Sequence, residues 1–88
     1  MLPQAVRYVL ERLEDAGFAA YAVGGCVRDT LLGRTPGDWD VTTAARPEQV
    51  LTLFDGYAIP TGLKHGTVTV RAGEMHIEVT TFRADGTY

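Results

Sequence analysis

Two aspartates one residue apart, Asp38 and Asp40, are the residues of this chain whose type and spacing most clearly suggest chemistry. On a strand, side chains two apart point the same way, about 6.5–7 Å from each other along the backbone. Carboxylates at that spacing can grip divalent ions. Magnesium takes a few carboxylate oxygens and fills its remaining positions with water and substrate phosphates. Two such ions about 3.5–4 Å apart can activate an attacking hydroxyl and stabilise a leaving phosphate. A third carboxylate, Glu78, lies in the run Met-His-Ile-Glu-Val-Thr-Thr-Phe. There Ile77 and Val79 share one face, and Glu78 shares the other with His76 and Thr80. If Trp39, Val41, Val68, Val70, Ile77 and Val79 all face the helices, then Asp38, Asp40 and Glu78 share the open face. The alternative is a solvated strand face, because Asp and Glu usually sit exposed. Against that alternative, aspartate is a poor strand former, so two within one strand need a reason.

A second group lies upstream. Gly24-Gly25 separates a short apolar run from a helical one, and glycine permits backbone conformations and close approaches that other residues forbid. The free N–H groups of a following helix would make an anion site. Arg28, within that helix's first turn, could add a charge-assisted bond to a phosphate. The segment is not a P-loop, since no Gly-Lys-Ser/Thr follows, and it lacks the third glycine of a dinucleotide fingerprint. A purely structural turn is the competing reading. His65 could serve as an acid–base group or a phosphate donor, or simply as a hydrogen-bonded loop residue. Arg83 could reach phosphate or sit solvated at a strand end. Cys26 reads as a packing residue, and no His/Cys spacing supports zinc.

The elements that must position these residues follow from periodicity. Leu2, Val6, Val9, Leu10 and Leu13 recur at helical spacing, with Pro3 at the start and Gly17 as a stop, which predicts a helix over 3–16. Residues 18–23 read as a buried strand. Cys26 to Leu32 gives about two helical turns ended by Gly33, and 34–37 a loop. Asp38 to Thr43 alternates as a half-buried strand. Pro47 opens a helix carrying Val50, Leu51 and Phe54, stopped at Asp55-Gly56. A short strand over 57–60 is followed by a hairpin: Thr67 to Arg71, a tight turn at Ala72-Gly73, and Met75 to Phe82. The predicted fold class is α/β (α+β), a mixed sheet with helices on one face.

Eighty-eight residues make one small domain. Eight basic against eleven acidic residues leave a net charge of −3, which argues against a free-standing basic nucleic-acid clamp. It leaves room for an enzyme that handles nucleic acid through a metal. One cysteine precludes an internal disulfide and fits a reducing compartment; the expected localisation is cytoplasmic. The N-terminus lacks the basic region of a secretory signal, and no run is long enough to span a membrane.

Assembled, the segment Gly24-Gly25-Cys26-Val27-Arg28-Asp29 through Asp38-Trp39-Asp40 resembles the signature of the class II tRNA nucleotidyltransferases (CCA-adding enzymes) and the related bacterial poly(A) polymerases. These belong to the polymerase-β-like nucleotidyltransferases. His65 to Val70 and Ile77 to Arg83 resemble two further family segments. The resemblance implies a polymerase-β-like palm in which Asp38 and Asp40 bind two Mg2+ ions and Glu78 is the third catalytic carboxylate. It implies that Gly24, Gly25 and Arg28 hold the triphosphate of CTP or ATP. The 3′ end of tRNA would then be the acceptor, and pyrophosphate would leave. It further implies that residues 1–88 form a single N-terminal head domain, lacking the family's last head strand and its later domains. Two alternatives stand beside tRNA nucleotidyl transfer. One is poly(A) synthesis by the same machinery. The other is an inactive fragment that assembles as a homo-oligomer through an exposed sheet edge.

Overall fold

The computed structural model describes residues 2–23 and 38–82. Gly24, Gly25, Arg28 and Arg83, with the helix and loop expected over 26–37, lie outside the described residues. Helix α1 spans Gln4–Asp15 and buries Val6, Val9 and Leu13, the stripe that the spacing predicts. It ends in a Schellman arrangement: Phe18 N–H donates to the Leu13 carbonyl and Gly17 N–H to the Glu14 carbonyl. That geometry needs a left-handed residue, and Gly17 supplies it at φ +95°. Strand β1 is correspondingly short, Ala20–Val23, because Phe18 belongs to the helix stop.

Strand β2 is Asp38–Thr43 and helix α2 is Pro47–Leu53. Pro47 opens α2 at a position where no N–H partner is needed, and Arg46 N–H donates to Gln49 Oε1 at 2.8 Å. Strand β3 is Ala58–Gly62, followed by the single 3-10 turn Leu63–His65. Strands β4, Thr67–Ala72, and β5, Met75–Thr81, form the expected hairpin. The turn residues are Gly73 and Glu74, one place later than the sequence suggests. Gly73 takes φ +62° at the first turn position, which the right-handed twist of the flanking strands favours.

The five strands run in the order β1-β2-β5-β4-β3. Among the described strands, the β2–β5 pair alone is parallel and the other three pairs are antiparallel. Val41, Val68, Val70, Ile77 and Val79 are buried on one face, where they form a single core with Val6, Val9 and Leu13 of α1 and Val50 of α2. Both described helices therefore cover one face, as the alternation predicts. Thr43 is the one buried polar residue among those described, and its Oγ1 donates to the Ala19 carbonyl at 2.7 Å.

The helices are tied to each other by Arg12 of α1, whose guanidinium donates to the carbonyl of Leu53 at 2.9 Å. Leu53 ends α2, so this bond satisfies a carbonyl that the helix itself leaves unpaired. Arg12→Ala should cost about 0.5–1.5 kcal/mol. In a domain of this size that corresponds to a fall in Tm of about 2–12 °C. Thermal unfolding followed by circular dichroism measures it, and an unchanged Tm would show that the bond contributes nothing.

Candidate active site

Strand pairing decides which acids meet. In the parallel β2–β5 ladder, Asp40 stands directly opposite Glu78 and Asp38 directly opposite His76. Residues in register on neighbouring strands share a face, about 4.8 Å apart across the ladder. Asp40 is half-buried and Glu78 exposed, while their neighbours Val41, Ile77 and Val79 are buried beneath them. The two carboxylates thus occupy the face opposite the two described helices. Asp38 opens β2 two residues before Asp40, on the same side of the pleat by alternation; its side chain lies outside what the structure describes.

Three cross-strand rows build this open face. The carboxylate row runs Val23, Asp40, Glu78, Thr69 across β1, β2, β5 and β4. On one side of it lies the row Asp38, His76, Arg71. On the other lies the row Tyr21, Thr42, Thr80, Thr67. Hydroxyls knit β3, β4 and β5 together on this face. Thr61 and Thr69 share a hydrogen bond of 2.6 Å, and Thr67 and Thr80 one of 3.0 Å.

A hard divalent cation takes carboxylate oxygens as ligands, so the donor chemistry of Asp40 and Glu78 fits magnesium. Among the described residues, which leave out the Asp38 side chain, no three His, Cys, Asp or Glu side chains make a complete metal cluster. Asp40 and Glu78 offer two carboxylates that could serve as donors, and the backbone position of Asp38 allows a third.

The structure separates His65 from this group. It ends the 3-10 turn, four residues before Thr69, the partner of Glu78, and its side chain is exposed. His76 and Arg71, by contrast, stand in register beside Asp38. The alternation of β5 already placed His76 on the acidic face. Arg71 required the hairpin register as well, because only pairing with His76 brings it there.

The poly A polymerase head domain model matches residues 20–88. The chain is 55% identical over 80 residues to the CCA-adding enzyme of Listeria monocytogenes serovar 1/2a, covering 91% of this chain and 20% of that protein. It is 56% identical over 80 residues to the CCA-adding enzyme of Lactobacillus helveticus, with the same coverage. Among solved structures it resembles the Bacillus stearothermophilus CCA-adding enzyme in complex with CTP. That match has a TM-score of 0.75 and 46% identity over 98% of this chain and 22% of that one. A tRNA nucleotidyltransferase complexed with a primer tRNA and an incoming ATP analog matches at a TM-score of 0.58 and 28% identity. It covers 91% of this chain and 23% of that one. The chain spans about a fifth of the length of the curated relatives it matches.

Proposed function

The chain belongs to the poly A polymerase head-domain family, and on that premise we propose that it carries the metal and triphosphate part of a nucleotidyl-transfer site acting on the 3′ end of tRNA. The observation that carries the proposal is the register of Asp40 against Glu78 on the face of the sheet opposite the two described helices. The relatives' CTP and ATP complexes support the choice of nucleotide, and the primer tRNA complex supports the acceptor.

In the proposed reaction the 3′-hydroxyl oxygen bonds to the α-phosphorus of CTP or ATP. The α–β bridging bond breaks, pyrophosphate leaves with the bonding electrons, and the hydroxyl proton passes to solvent. Asp38 and Asp40 would hold two magnesium ions, with Glu78 supporting them. When bound, these ions would raise the acidity of the attacking hydroxyl and neutralise charge on the departing phosphates. The chain's own part is positioning. The β2–β5 ladder fixes Asp40 and Glu78 on a rigid element, and phosphoryl-type transfer depends mainly on such positioning and on electrostatic stabilisation. Gly24, Gly25 and Arg28 would bind the triphosphate. His65 needs no catalytic role, since the reaction requires no histidine base, and Arg83 is left as a candidate phosphate contact.

Titrating CTP and ATP into the chain, with magnesium and then with EDTA, tests the reading. Binding should require the metal; equal affinity in EDTA would refute it.

The expected self-association is a separate proposal with a specific edge. Among the described residues, strands β1 and β3 lie at the two edges of the sheet. Strand β3 carries Pro60 and a break in register between Ile59 and Gly62. Both features discourage strand addition. Association through the sheet would therefore run through β1.

A further inference from the structure

Resting on the nucleotidyl-transfer reading, we propose that Tyr21, backed by Phe82, is a stacking platform for a base at the single-stranded 3′ end of the acceptor RNA. Tyr21 is 61% exposed in the middle of a four-residue strand. Its ring lies 6.3 Å from that of Phe82, tilted by 38°. That separation leaves no room for a base between the rings. Phe82 is half-buried and continues the β2–β5 ladder by donating its N–H to the Thr43 carbonyl at 2.9 Å. Phe82 therefore packs beside Tyr21, whose side chain stays largely exposed among the described residues. An aromatic ring held in this way accepts any base, because every base has a π-face to stack.

The position on the sheet selects the acceptor over the incoming nucleotide. Tyr21 opens the row that continues through Thr42 and Thr80, directly beside the row of Asp40 and Glu78. Val23 pairs with Asp40 in the ladder and is followed in the chain by Gly24 of the proposed triphosphate turn. Moving from Asp40 toward Tyr21 therefore runs back along β1, away from those glycines. In an in-line displacement the attacking oxygen and the leaving pyrophosphate lie on opposite sides of the phosphorus. With pyrophosphate on the glycine side, the attacking strand arrives over Tyr21, Thr42 and Thr80. This side carries no charged residue in its row. It presents threonine hydroxyls, which donate and accept hydrogen bonds as ribose 2′-hydroxyls do.

The test is fluorescence anisotropy with a labelled RNA hairpin bearing a short single-stranded 3′ overhang. Wild type, Tyr21→Ala and Tyr21→Phe are compared, and Mg–CTP affinity is measured in parallel. Tyr21→Ala should weaken RNA binding by about 5- to 150-fold, the range that loss of one base stack produces. Tyr21→Phe should bind RNA as wild type does, and all three should bind Mg–CTP equally. Unchanged RNA affinity in Tyr21→Ala, with Mg–CTP binding intact, would overturn the platform and leave the nucleotide site standing. Loss of Mg–CTP binding in a folded Tyr21→Ala would also overturn it, by assigning the ring to the nucleotide. Wild-type protein that binds Mg–CTP but no RNA would overturn it as well. Failure of wild type to bind Mg–CTP would instead refute the underlying site.

Discussion

Asp40→Asn should weaken magnesium-dependent binding of CTP or ATP by at least ~100-fold while leaving the fold intact. The size follows from what the residue would be. Changing a group that merely orients a metal ligand costs about 10- to 100-fold, and Asp40 is placed to be a ligand itself. Asparagine keeps the shape of the side chain but removes the charge that a hard cation requires. The fold should survive because Asp40 lies half-buried on the open face, above the core. Glu78→Gln should show the same loss with smaller amplitude, since Glu78 would support the ions rather than hold them. Isothermal titration calorimetry in magnesium reads both. A full-affinity Asp40→Asn would remove Asp40 from the metal site.

The second large effect is structural. Ile77→Ala should destabilise the protein by about 2–5 kcal/mol. Ile77 is fully buried and sits in register between Trp39 of β2 and Val70 of β4. It is the residue immediately before Glu78, so the cavity would open directly under the carboxylate row. A domain of 88 residues has a total stability of about 4–13 kcal/mol. The loss is thus a large share of the whole, and the lower end of that range would leave the variant substantially unfolded. Ile77→Val removes one methylene and should cost about 0.5–1.5 kcal/mol. Urea denaturation of the pair measures the difference. Equal midpoints would show that the site does not rest on this packing.

Much of this arrangement can be read from local pattern. The stripe of α1, the alternation of Trp39 and Val41 against Asp40, and the hairpin around Gly73 are all short-range signals, and each reappears in the fold. That Asp40 and Glu78 point to one side also follows from period-two alternation. Their direct opposition does not, because it depends on β2 and β5 pairing in parallel across the intervening α2, β3 and β4. Sequence spacing carries no information about such a non-local register. The same limit hid the Tyr21–Phe82 pair, whose members are distant in the chain and meet only through the β1-β2-β5 order. Phe18 shows a different failure: it looks like the start of a strand, but its N–H is taken up in closing α1. His65 looked chemically useful by type alone, and the turn that carries it stands apart from the carboxylate row.

The proposed nucleotide site would rest on three acids, of which the two most closely spaced in sequence should matter most. Calorimetric titration of CTP into wild type and into the Asp38→Ala/Asp40→Ala double variant, both in magnesium and both checked for fold by circular dichroism, measures this directly. Saturable binding by wild type and no measurable heat from the folded double variant is the expected result. Equal affinity in the two proteins would contradict it.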